Sequence, residues 1–274
     1  MRLKIIINLI LIVAIAALGV FLVNNGDEPQ KKIIPLTSIV PETIRHIDIE
    51  RTDKGKISFR KIGDNWFMTA PLQARANDNR INAMLQLLRT PSFTRLSIEE
   101  LDLSRFDLAP PAVTLRENGQ EFFFGDTNPL EGRRYVMVGA VVHLIRDDLY
   151  PQLLQEPVFF ISPRLLPEGV PLREIDLPGH RLNFVNNVWK DAEAEDMGKE
   201  KLESLVSAWL SATAVSLGKL EPAQSLGEVE ITTRNGEIMR FEIRQLKPLL
   251  KLARTDLSIS YTMPTGAAET LLLK

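Results

Sequence analysis

The stretch from Trp66 to Leu88, WFMTAPLQARANDNRINAMLQLL, constrains the fold most, because a degenerate copy recurs from Trp189 to Trp209. In each copy a short apolar strand runs into a tryptophan, and a polar connection leads on to an amphipathic helix. The first helix carries Ile81, Met84, Leu85 and Leu88; the second carries Leu202, Leu205, Val206 and Trp209. Apolar residues three and four apart mark a helix with one buried face, and the preceding strand belongs to the sheet which that face covers. The expected body is α+β: two tandem repeats, each an antiparallel sheet with a packed helix.

The flanks of the two copies also correspond. LREIDL at 172–177 echoes IRHIDI at 44–49, Leu182 and Phe184 echo Ile57 and Phe59, and VEITTRNGE at 229–237 echoes VTLRENGQ at 113–120. Asn118-Gly119 and Asn235-Gly236 are strong hairpin signals, since this pair tolerates the positive φ of a tight turn. LLKLARTDLSISY matches YVMVGAVVHLI, and Ala268–Leu273 stands where Asp147–Gln155 closes the first copy. The expected division is a first repeat over 42–156, a Pro-rich apolar linker over 157–171 and a second repeat over 172–274.

Ahead of the repeats, Ile5 to Val23 is an apolar run broken only by Asn8. As a helix it spans roughly 28 Å at about 1.5 Å per residue, close to the roughly 30 Å hydrocarbon core of a bilayer. A cleaved signal peptide ending near Ala17-Leu18-Gly19 is the competing reading, but the run exceeds the usual signal core. We therefore expect a transmembrane anchor over 1–24 and an extended tether over 25–41, which holds Pro29, Pro35 and Pro41. The short N-terminal head and long C-terminal body favour a single pass of a bacterial inner membrane, with the body in the periplasm.

Lys plus Arg (33) and Asp plus Glu (35) nearly cancel, and the balance persists in each half. No basic field for nucleic acid is present. Cysteine is absent, which excludes disulfides and thiolate chemistry. His46, His143 and His180 fit no metal-ligand spacing and are expected on strand faces or in turns. Glu99-Glu100 and Asp147-Asp148 are expected to act as helix-start charges, and Gly125–Pro129 to form an Asx-type turn. Trp66 and Trp189 are expected in the core, because a duplicated fold retains its core more readily than a site. No catalytic, cofactor-binding or metal residues emerge, so the chain is read as a non-enzyme without a cofactor. Phe159, Phe160 and Leu165, in the apolar linker, are the candidate partner-binding residues if they do not pack between the repeats.

The anchor, Trp66 with Pro71, FDLAPPAVTL at 106–115, FFFGD at 122–126 and YVMVGAVVHLI at 135–145 together resemble the bacterial domain-of-unknown-function family numbered 4340. The second repeat departs from that pattern by lacking the proline after its tryptophan and the FGD element. The resemblance implies a neighbourhood of gliding-motility-type ABC transporters and hence an auxiliary envelope role, and it carries no catalytic residues. The expected function is a membrane-tethered, periplasmic scaffold with ABC-transporter-like membrane partners; the alternative is a periplasmic module that binds cell-wall glycan or peptide.

Overall fold

The structure, a computed structural model, describes residues 14–17, 19–20, 34–193 and 197–273. Most of the expected anchor, Ile5–Val23, lies outside the described residues; within it 14–17 and 19–20 are helical and exposed. Among the described residues no helix is long and apolar enough to cross a membrane.

Period-two alternation of apolar residues governs much of the rest of the chain and builds two large antiparallel sheets, beside which Ile34–Pro35 and Pro91–Ser92 form a two-stranded one. The strands of the first half are β1 (Ile34–Pro35), β2 (His46–Arg51), β3 (Gly55–Ile62), β4 (Asn65–Ala70), β5 (Ala74–Arg75), β6 (Pro91–Ser92), β7 (Thr94–Ser97), β8 (Val113–Glu117), β9 (Gln120–Thr127), β10 (Arg133–Val138) and β11 (Val141–Arg146). The second half adds β12 (Leu172–Leu177), β13 (His180–Val185), β14 (Val188–Asp191), β15 (Ser216–Lys219), β16 (Glu228–Thr233), β17 (Ile238–Gln245), β18 (Lys251–Arg254) and β19 (Ile259–Thr262). In strands, alternate side chains share a face. Accordingly Ile47 and Ile49, Ile57 and Phe59, Val113 and Leu115, and Phe122 and Phe124 are all buried on one side of the first sheet.

The first sheet has the order β5-β4-β3-β2-β8-β9-β10-β11-β7, and the second β14-β13-β12-β16-β17-β18-β19-β15. Apart from the two-residue edge β5, the orders correspond strand for strand. In each, a meander runs outward to one edge, a helix follows, the next strand lands on the opposite edge, and four strands starting beside the first close the gap. Asn118 (φ 48°) and Gly119 (φ 89°) make the tight turn between β8 and β9.

Residue register corrects the repeat alignment drawn from sequence. Ile175 faces Leu182 and Ile231, the row that Ile49 forms with Ile57 and Leu115, so Ile175 corresponds to Ile49 rather than Ile47. Trp189 faces Phe184, the position of Met68 opposite Phe59, whereas Trp66 faces Lys61. A bulge between Leu172 and Glu174 and a tighter hairpin, with Leu177 opposite His180, absorb the change. A two-residue shift keeps each side chain on its own face, so the hydrophobic pattern cannot detect it. Burial follows register: Trp66 lies in the core, while Trp189 is half-buried and packs on Phe184 at a centroid distance of 5.2 Å.

Asn77 starts the first helix, Asp78–Gln86, by accepting hydrogen bonds from the backbone N–H groups of Asn79 and Arg80. The helix tightens after Gln86 into a 3-10 turn, Leu87–Arg89. Ile81, Met84, Leu87 and Leu88 are buried, and Leu85 is only partly so. In the second helix, Lys199–Ser211, the expected stripe Leu202, Leu205, Val206 and Trp209 is buried throughout. Short helices at Tyr150–Leu153 and Ala267–Leu272 close the two halves.

The end of the tether and the linker are both part of the body. The last residues of the tether are docked, since β1 pairs with β6 and the Leu36 N–H donates to the Thr90 carbonyl at 2.8 Å. The linker is stitched to both halves. Phe160 and Ser162 bond the first half, through Asn77 N–H to Phe160 O and Ser162 N–H to Arg75 O, each at 2.8 Å. Leu165 N–H donates to Ala212 O at 3.1 Å, and Ala214 N–H to Pro163 O at 2.9 Å. One hydrophobic core cluster runs through both halves and the linker.

Candidate binding cleft

The stitched linker forms the floor of a cleft of about 320 Å³ between the two sheets. Phe67 and Arg75 contribute from the first half, Ile161, Arg164 and Leu165 from the linker, and Met239, Arg254 and Tyr261 from the second. Strand alternation sets the wall on the side of the first half. Phe67 has the opposite parity to buried Trp66 and Met68, so it looks outward into the cleft rather than into the first core.

Three arginines line this cleft in different electrostatic states. Arg75 is fully engaged: its guanidinium donates to the Trp66 and Ala76 carbonyls at 2.8 and 3.0 Å, to Asn65 at 2.9 Å and to Asp78 at 2.8 Å. Arg254 donates to both carboxylate oxygens of Asp256, at 2.8 and 2.6 Å. Burial works against the Arg254 charge, yet the Asp256 pair outweighs it and raises its pKa; the same bond holds the Asp256 carboxyl below its ordinary value. Tyr261, beside them, has its hydroxyl pushed up by burial and by Asp256, with Arg254 opposing.

Arg164 differs. Among the described residues its guanidinium makes no ion pair, and its Nε is buried without a hydrogen-bond partner. An unsatisfied buried donor is costly, about 1–3 kcal/mol. At the rim Glu168 and Glu237 are exposed. The cleft thus offers one uncommitted cation on its floor and carboxylates at its mouth, an arrangement suited to recognising charge.

The candidate partner residues lie elsewhere than on a free surface. Phe160 and Leu165 are buried. Phe160 packs edge-on against Phe59, with ring centroids 5.7 Å apart, and against half-buried Phe159 at 5.2 Å. The Arg80 guanidinium covers the Phe159 ring at 3.9 Å. Of the two expectations for these residues, packing between the repeats is the one that Phe160 and Leu165 meet, with Phe159 half-buried at the edge of the seam.

The other polar residues singled out in the sequence lie apart from the cleft. His46 pairs with Asp48 at 3.0 Å and His180 with Asp191 at 2.7 Å. His143 is buried beside the Ser92 hydroxyl at 2.9 Å, and burial followed by the Arg95 charge lowers its pKa to about 4. Asp147 is not a cap: Arg134 grips it with two bonds of 2.7 Å, while Ser97 caps the Ile98–Glu100 turn. The Asn128 side chain accepts from the Leu130 and Glu131 N–H groups, which confirms the Asx turn. Among the described residues no group of three or more His, Cys, Asp or Glu is placed to hold a metal ion.

Two residues escaped the sequence reading. Arg164 gave no signal beyond being a lone charge in an apolar segment. Glu117 gave one, because it shares strand parity with Val113 and Leu115; it is fully buried, neither carboxylate oxygen has a partner, and burial raises its pKa to about 8.

Three of the motifs that carried the family resemblance, FDLAPPAVTL, FFFGD and YVMVGAVVHLI, meet in the first half. A Cβ on Gly125 of FFFGD would collide with the Phe106 carbonyl and lie 2.8 Å from Leu108 Cγ, so this glycine admits the FDLAPP segment. Phe106 stacks edge-on against Tyr135 at 4.7 Å, and Arg134 reaches the Gly125 carbonyl. No curated protein and no solved structure matches the chain. A family model does match, from Trp66 across the whole linker to Ala212. With residues 66–212 matched, more than half its length, the chain belongs to the family described as Domain of unknown function (DUF4340).

Proposed function

We propose that this protein is a membrane-tethered, non-enzymatic scaffold of a bacterial envelope complex. Its anchor is Ile5–Val23 in the inner membrane, its body is periplasmic, and its partners are ABC-transporter-like membrane proteins. The observation that carries this reading is the stitched linker. A chain built to swing two modules would join them with exposed polar residues; here backbone bonds and a continuous core weld them into one piece. The tether supports the same reading, because pairing resumes at Ile34 and only ten residues separate it from Val23. At about 3.5 Å per residue that leash reaches at most roughly 35 Å, which keeps the body beside whatever surrounds the anchor.

Topology is checked with reporter fusions after Lys32 and after Lys274, which should be active only as periplasmic reporters. Purification of the full chain in mild detergent after crosslinking should recover a polytopic transporter subunit. A cytoplasm-only reporter active at Lys274, or turnover of a cell-wall substrate that is lost on changing one carboxylate, would overturn the reading.

A further inference from the structure

We propose that the cleft between the sheets receives a peptide end, with Arg164 as the receptor for its free C-terminal carboxylate and the apolar wall holding its last side chain. Two observations and the chemistry of the guanidinium point the same way. The Arg164 guanidinium is the cleft's uncommitted cation: among the described residues it makes no ion pair, and because its Nε is buried its two terminal nitrogens are the donors left for a ligand. A planar guanidinium suits a carboxylate, which it binds through two parallel N–H donors. Beside it half-buried Phe67 and Leu257 give the cleft its apolar surface, backed by buried Ile161, Leu165 and Met239, as in sites that orient a ligand by few polar groups and hold it by apolar ones.

Charge and size select among anionic ligands. Glu168 and Glu237 at the mouth repel a doubly charged phosphate or a polyanion more strongly than a peptide end, which carries a single charge followed by neutral amides. A neutral glycan leaves the arginine unanswered. The volume, about 320 Å³, lies at the lower end of small-molecule sites, roughly 300–1,000 Å³, and so admits a chain terminus rather than a folded partner. The proposal deepens the scaffold reading by giving contact a specific receptor, and it rests on that reading only for where the peptide comes from.

The test uses the full chain in detergent micelles and the acetylated tripeptide Ac-Gly-Ala-Leu, as free acid and as C-terminal amide, followed by saturation-transfer NMR and by melting temperature. The free acid should bind at least tenfold more tightly than the amide. Arg164→Gln should abolish that discrimination while melting, without peptide, no lower than the parent, because it removes an unsatisfied donor. Equal binding of acid and amide, binding of neither, or displacement of the acid by equimolar inorganic phosphate would overturn the proposal. So would an Arg164→Gln protein that melts far lower yet still distinguishes acid from amide. Recovery of a transporter subunit by a protein blind to the peptide would leave the scaffold standing and remove the receptor; peptide binding without such recovery would do the reverse.

Discussion

The Trp209 indole N–H donates to the Leu271 carbonyl at 2.9 Å, and both residues are buried. The bond ties the long helix of the second half to the short helix that ends it, and it satisfies a carbonyl near a helix C-terminus that has no partner within the helix. Trp209→Phe keeps most of the packing and strands that carbonyl. Stability to urea should fall by about 1–3 kcal/mol, with the slope of the transition unchanged.

The two helices should not respond alike to truncation. Leu205 is buried, whereas Leu85 is partly exposed at the edge of a surface recess. Leu205→Ala should cost about 2–5 kcal/mol, in the range of large-to-small core changes, and Leu85→Ala less than half as much. Chemical unfolding of the two variants side by side measures the difference; equal losses would mean that Leu85 is turned inward.

Why periodicity identified one stripe and misplaced one residue of the other is a matter of local geometry. Lys199–Ser211 stays α-helical throughout, so positions three and four apart share a face. The first helix changes to 3-10 geometry at Leu87, which advances each residue by a larger angle and carries Leu87 and Leu88 inward. The meanders, the Asn-Gly turns and the duplication were legible because each is written in consecutive residues. The cleft was not, since Phe67, Arg164 and Tyr261 meet only through pairing between distant strands, and Arg164 looks like any surface arginine until its Nε is found without a partner.

Phe159 and Phe160 are neighbours with different duties. Phe160→Ala empties a site between the linker and Phe59 and should cost about 3–5 kcal/mol. Phe159→Ala loses a half-exposed ring and its Arg80 contact, worth about 0.5–2 kcal/mol. Differential scanning calorimetry should show one cooperative transition in the parent, and separation into two in Phe160→Ala if the seam couples the halves.

Glu117 and His143 set opposing pH dependences. Glu117 keeps its proton in the folded state up to about 8, against 4.5 for an ordinary carboxyl. The folded protein therefore binds more protons than the unfolded one in that window, and stability falls as pH rises through it, by about 1.4 kcal/mol per unit. His143 behaves in reverse, since its pKa drops from 6.5 to about 4 and stability falls as pH decreases across that interval. Between 4.5 and 6.5 the two slopes cancel, so these groups predict a plateau flanked by declines on both sides. Glu117→Gln should remove the alkaline decline and turn the plateau into a rise with pH, read from urea midpoints at half-unit steps.

The strand order also fixes when each half can finish forming as the chain is synthesised. Residues 73 apart in sequence, Arg45 and Asn118, are joined where β8 returns beside β2, and the far edge closes only when β11 meets β7. Such long-range closure is slow and leaves strand edges open meanwhile. The first half can close once Arg146 has emerged, while the second waits for Thr262. Between those moments the linker's apolar side chains have a seat on one side only, so the welded body depends on the last few strands arriving before that half-covered seam finds another chain.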